Sequence, residues 1–172
     1  MAITNQQVRI TEAWSLAVTK AVEDTFFALA GCRPKADKAE FNNKANVHSD
    51  ISGLMVMSQT QADGAMILSF PKETIFHVLA KIYRKSFSDL NQSVQQGVGE
   101  FTNVIFGGLI ANLNKSGYAF QMGQPSVVIG NQHIVVQSKS GQRMTIPFEI
   151  ENYPFHVTVQ INNQQESTTG EN

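Results

Sequence analysis

The chain has 172 residues, 42% of them apolar and 16% charged, with 13 lysines and arginines against 14 aspartates and glutamates for a net charge of −1. That length and apolar content suit one domain with a full core, and the near-neutral balance argues against a nucleic-acid-binding protein, whose surface is usually basic. No apolar run approaches the ~20 residues of a membrane-spanning helix, the opening MAITNQQVRI lacks the basic-then-apolar order of a secretory signal, and the single cysteine, Cys32, allows neither an internal disulfide nor a cysteine-built zinc site, so a cytoplasmic protein is expected.

In chain order, the first element is a helix. Thr11 is a suitable N-cap, with Glu12 favourable in the first turn. Trp14, Val18, Ala21, Val22, Phe26 and Leu29 recur at three-to-four spacing and make one apolar stripe. Gly31 suits the left-handed residue that ends a helix, and Pro34 stops any continuation. Residues 35–46 are polar and read as a loop with a short strand at the end. Two apolar runs, 47–60 and 65–70, flank Ala62-Asp63-Gly64 and predict a β-hairpin turning at Asp-Gly. Pro71 then fits the first turn of a second helix with Ile75, Val78, Leu79 and Ile82 inward. Its basic end, Lys81, Arg84 and Lys85, reads as a solvated helix C-terminus.

A long third helix is expected over 92–115, stopped by Gly117. A run of strands follows at 118–122, 125–129, 133–138, 144–150 and 155–161, with turns at Gly130-Asn131 and Ser140-Gly141. The last stretch, 162–172, is polar and is expected to be a disordered tail behind a single domain at 1–161. Strands grouped rather than alternating with helices predict an α+β fold with an antiparallel sheet. A weak internal echo links Glu23-x-x-Phe26 with Glu100-x-x-Asn103, both on long helices followed by strands.

Ordinary catalytic constellations are missing. The four histidines, His48, His77, His133 and His156, are scattered and form no metal-binding spacing, so no metal site is expected. There is neither a G-x-S-x-G elbow nor a phosphate-cradling glycine loop. Cys32 reads as a small buried hydrophobe.

The third helix is unusual. At about 100° per residue from Glu100, the side chains of Phe101, Ile105, Val98, Leu109, Leu113 and Phe106 fall between about 100° and 240° and face a core. The opposite stripe holds Gln96, Glu100, Asn103, Gly107, Ala111 and Asn114. One carboxylate and one carboxamide thus lie a turn apart on the outer face. By spacing alone they are an ordinary solvated face or a site. The helix also carries Gly97, Gly99, Gly107 and Gly108, each about 0.5–1 kcal/mol worse than alanine, which calls for a reason. Bare backbone at Gly107 would let a partner come close, and Gly108, to the side, suits close helix packing.

The run GEFTNVIFGG, residues 99–108, resembles the E-x-x-N helix of the CheC/CheX family of chemotaxis phosphatases. PSVVIG at 125–130, GAMILSFP at 64–71 and the Ala-Gly-x-x-Pro end of the first helix are similar too, and the likeness spans about residues 10–161. CheX is the nearer pattern, because the first helix has Phe26 where a second amide would stand. The resemblance implies helices on an antiparallel sheet built from two pseudo-repeated halves, and a homodimer formed through the sheets. It implies a phosphatase acting on a phosphorylated CheY-like receiver domain, with Mg²⁺ supplied by the receiver and no cofactor of its own. In that reading Glu100 and Asn103 are catalytic: Asn103 orients the attacking water and Glu100 pairs with the receiver's lysine. Gln96, standing where the family usually has Asp or Ser, and Gly107 and Gly108 lie at the partner surface. The alternative is a non-catalytic receiver-binding or flagellar-switch-like module of the same fold.

Overall fold

Apolar periodicity sets the layers. Three helices, α1 (Glu12–Ala30), α2 (Lys72–Tyr83) and α3 (Gln92–Lys115), carry apolar stripes that meet in one core with alternate residues of the sheet. The computed structural model describes residues 7–42, 46–135 and 140–164. The strands are β1 (Lys35–Ala36), β2 (Glu40–Phe41), β3 (Ser49–Gln59), β4 (Ala62–Phe70), β5 (Gln121–Met122), β6 (Ser126–His133), β7 (Gln142–Ile150) and β8 (Tyr153–Asn163). They form one antiparallel sheet in the order β1-β7-β8-β4-β3-β5, with β2 also on β7 and β6 also on β3. The expected α+β class with an antiparallel sheet is therefore the observed one.

Sheet period puts Met55, Met66, Val159 and Met144 in one row on the helix side, and Val56, Ala65, Gln160 and Arg143 in the next row on the other side. The centre of the core is aromatic. Phe26 of α1 lies 4.7 Å from Phe101 of α3 and 5.0 Å from Phe155 of β8, ring centre to ring centre. Trp14, at the start of α1, packs edge-on against Tyr118 and Phe120 beyond the end of α3. The two long helices thus run antiparallel, held at the start of α1 by Trp14 and further along by Phe26 against the middle of α3.

The helix ends follow local chemistry. Gly31 takes the left-handed conformation, φ 71°, and its N–H closes α1 on the Phe27 carbonyl. The Asn91 side chain accepts the Val94 N–H at 3.0 Å and caps α3. At the far end, Asn114 exchanges two bonds with the backbone of Phe120, accepting from its N–H at 2.8 Å and donating to its carbonyl at 2.9 Å.

Several expected elements differ. The hairpin turns at Thr60-Gln61, with Gln61 at φ 71°, and not at Asp63-Gly64. Gly64 sits inside β4 opposite Met57, where a side chain would strike the Gln160 carbonyl; the glycine serves close strand packing. The polar loop at 35–46 contributes two short strands that cover the edge of β7. The strand expected at 118–122 shrinks to Gln121–Met122. Gly130-Asn131 does not turn the chain but forms an irregularity inside β6, which runs through to His133. Asp50 holds that irregularity by accepting the Gln132 N–H at 3.2 Å and the Lys72 N–H at 2.9 Å. Residues 136–138, the end of the strand expected at 133–138, lie outside the described residues. So does most of the expected tail, although β8 itself reaches Asn163, two residues past the expected boundary.

Candidate functional site

The site begins with how closely α3 lies on the sheet. A methyl at Gly53 of β3 would overlap Thr102 Oγ1, so only glycine lets the helix settle there. Thr102 is fully buried and donates its hydroxyl hydrogen to the Val98 carbonyl at 2.7 Å. On the other flank a side chain at Gly97 would press into Leu79 of α2 at 2.8 Å. Close packing belongs to Gly97. Gly108, expected to pack closely against a neighbour, instead faces open space with nothing within 4 Å.

With both flanks seated, the outer stripe of α3 faces solvent. Gln96, Glu100 and Asn103 are all exposed. No described residue hydrogen-bonds or ion-pairs with the side chain of Glu100 or Asn103. A carboxylate and a carboxamide one turn apart, both free, offer an acceptor for a cation and a donor–acceptor pair for water.

Two features of this stripe were not legible in the sequence. The residues one turn before and one turn after Asn103 are Gly99 and Gly107. At four residues either way no side chain stands beside the carboxamide; its remaining helical neighbours are Glu100, three residues before, and the buried Phe106, three after. The clear lane is walled by the sheet edge: a methyl at Gly99 would lie 3.9 Å from Val127 Cγ2, and one at Gly107 would lie 3.9 Å from Met122 Sδ and Cε. Val127 and Met122 reach α3 through pairings with β3 that no local pattern announces. The four glycines of α3 thus divide into one that seats the helix (Gly97), two that clear the lane (Gly99 and Gly107) and one in open space (Gly108).

The corresponding stretch of α1 differs. Phe26 is fully buried in the aromatic core, so α1 presents no amide at that point of the echo.

Other reactive groups are engaged elsewhere. His133 Nδ1 lies 2.7 Å from the Gly130 carbonyl, which makes it the donor there, and Nε2 lies 2.9 Å from the Ser52 hydroxyl. Ser52 also reaches Ser69, and Ser49 joins the same knot. Ser52 is completely buried, so this histidine–serine pair fastens β6 to the sheet and offers no nucleophile. Burial pushes the Cys32 thiol up from its ordinary range, away from thiolate chemistry. Glu151 is held below the usual carboxylate range by Lys81 and then His77, which ties the β7–β8 turn to α2. Among the described residues no group of three or more His, Cys, Asp or Glu side chains is placed to hold a metal.

One layer of helices over an antiparallel sheet is the CheC/CheX-like fold. The chain belongs to the CheX family: the family described as chemotaxis phosphatase CheX matches residues 51–149, more than half its length, with all of α3 inside. Solved structures agree on the fold. A CheC-like superfamily protein from Shewanella sp. PV-4 is 23% identical with a TM-score of 0.84, covering 90% of this chain and 100% of that one. The chemotaxis protein CheX from Vibrio vulnificus is 23% identical with a TM-score of 0.81, covering 87% of this chain and 99% of that one. The CheX of a CheX–CheY–BeF3–Mg²⁺ complex from Borrelia burgdorferi is 16% identical with a TM-score of 0.73, covering 91% of this chain and 100% of that one. No curated protein matches the sequence.

Proposed function

We propose that this chain dephosphorylates the aspartyl phosphate of a CheY-like receiver domain. The observation that carries the reading is the unengaged Glu100–Asn103 pair on the outer stripe of α3, with the carboxamide standing in a lane cleared by Gly99 and Gly107. Membership of the CheX family and the complex formed by its Borrelia burgdorferi relative with CheY support the choice of partner.

The chemistry needs little from this chain beyond placement. The acyl phosphate and its Mg²⁺ belong to the receiver, which carries the charge stabilisation. Asn103 enters the receiver's site and holds a water in line with phosphorus, its carbonyl accepting and its N–H donating. That is catalysis by positioning, like the water-orienting glutamine of a GTPase. An amide does this without adding negative charge beside the phosphoryl group. Glu100 fixes register through a charge-assisted bond to the receiver's lysine. Gln96, a turn before Glu100, lies along the same contact.

The test is loss of phosphate from a phosphorylated CheY-like receiver of the same organism, with Mg²⁺, for wild type and for Asn103→Ala and Glu100→Ala. Acceleration by wild type is expected to vanish with Asn103→Ala and to fall sharply with Glu100→Ala. Equal acceleration by all three would remove the site assignment. Binding to the receiver without acceleration by wild type would favour the docking-module reading, to which Gln96, in place of the family's usual Asp or Ser, already leans.

The same reading includes a homodimer. β1 and β2 cover one edge of the sheet, whereas among the described residues no strand pairs with the outer edge of β6. Its Val128 and Ile129 are exposed. A free apolar edge is a template for a second copy. Ile129→Lys is expected to convert a dimer to a monomer in light scattering.

A further inference from the structure

Glu100 and Asn103 give a partner orientation but little apolar area, and a specific contact usually needs a buried apolar anchor beside its polar groups. Such an anchor stands at the wall of the lane. Met122 is 49% exposed, although its Sδ and Cε lie within 3.9 Å of the position a Gly107 side chain would take. Its backbone is fixed on the sheet: β5 pairs with Met57 and Ser58, and the next residue, Gly123, donates its N–H to the Val56 carbonyl at 2.9 Å. Gly123 is glycine because a side chain there would meet Val56 Cγ2 at 2.7 Å. On the opposite side of Glu100 round the helix, Val104 is 40% exposed.

We propose that Met122 is the apolar anchor of the receiver-docking surface, and that it sets affinity while Asn103 sets the chemical step. The inference rests on the receiver reading above and names the part of the surface that reading leaves open. The occupant is the apolar loop surface of a receiver beside its phosphorylated aspartate. In an open α/β domain of that kind the reacting carboxylate lies among short loops at the carboxyl ends of the strands. Met122 stands at the wall of the Asn103 lane, so a loop set on that scale that receives Asn103 also meets Met122. A rigid backbone with a pliable thioether suits the task, because methionine fits irregular apolar surfaces without loss of contact. The exposed methionine supplies, beside the polar pair, the apolar contact that the pair itself lacks.

Two measurements separate this inference from the phosphatase reading. The first is equilibrium binding of a CheY-like receiver loaded with BeF3⁻ and Mg²⁺ to wild type, Met122→Glu and Met122→Ala. The second is the dependence of phosphate loss on receiver concentration for the same proteins and Asn103→Ala. Met122→Glu is expected to weaken binding and raise KM about tenfold while kcat stays within about twofold, with Met122→Ala intermediate. Asn103→Ala lowers kcat. Receiver affinity unchanged in both Met122 variants would overturn the inference while leaving the phosphatase reading intact. Wild type that binds but does not hydrolyse would end that reading, and the Met122 effect on binding would still decide the anchor. A loss of dimer with receiver binding untouched would assign the surface to a second copy and overturn the proposal, as would a wild type that does not bind at all.

Discussion

Gly107 should separate stability from activity. It lies inside a helix, where glycine is about 1 kcal/mol less favourable than alanine. A methyl there meets Met122 at 3.9 Å, an ordinary van der Waals distance, and the residue is helical, so Gly107→Ala carries no strain to set against that gain. The substitution is expected to stabilise the protein by about 0.5–1 kcal/mol, or roughly 1–4 °C in Tm for a domain of this size. The same methyl stands one turn from Asn103, in the path of an approaching partner. A displacement on the order of 1 Å at a water-positioning group costs up to about a hundredfold in rate. Gly107→Ala should therefore slow receiver dephosphorylation by around tenfold, and Gly107→Leu by more. Calorimetry gives the first quantity and the phosphate-release assay the second. Gly108→Ala is the comparison: nothing lies within 4 Å, so it gains similar stability, with a smaller loss of activity one residue step further round the helix. Full activity in Gly107→Leu would refute the idea that the lane exists to admit a partner.

Other consequences can be checked directly. Phe26→Ala empties the centre of the aromatic core and should cost about 3–5 kcal/mol in denaturant melts, because Phe101 and Phe155 both lose their neighbour. Gly53→Ala should destabilise through its overlap with Thr102 Oγ1, and adding Thr102→Ala should restore part of the loss; strict additivity would disprove the contact. Burial holds the His156 imidazole below its ordinary pKa of 6.5, against a smaller opposing pull from Glu40. Below that value the unfolded chain binds the proton more readily than the fold, so stability falls on acidification. Melts from pH 7 to pH 5 should show this fall, and His156→Gln should flatten it.

The sequence carried the helices well and the sheet edge poorly, for physical reasons. The stripe of α1, closed by Gly31, and that of α3 are long enough to outweigh local noise. The Glu100–Asn103 pair followed from spacing because a helix fixes which residues share a face. The turn residues misled twice. Asp63-Gly64 has hairpin chemistry, yet the requirement for glycine came from the Gln160 carbonyl on a neighbouring strand. Gly130-Asn131 also reads as a turn, but Asp50 and His133 hold it as an irregularity within β6. The lane wall was hidden for the same reason. Met122 and Val127 gain meaning only through pairing with β3, some 65 to 75 residues earlier, a separation no local window spans.

The packing of Trp14 equips the molecule with its own optical reporter. It is the only tryptophan in the chain, is 2% exposed and touches Tyr118 and Phe120, where the start of α1 meets the end of α3. From Asn103 to the last helical residue, Lys115, is about 18 Å along the axis at about 1.5 Å per residue. Its emission therefore registers the separation of the two long helices on unfolding and stays silent to events at the middle of α3. A single cuvette can follow melting by tryptophan while a label on the receiver follows docking, with neither signal contaminating the other.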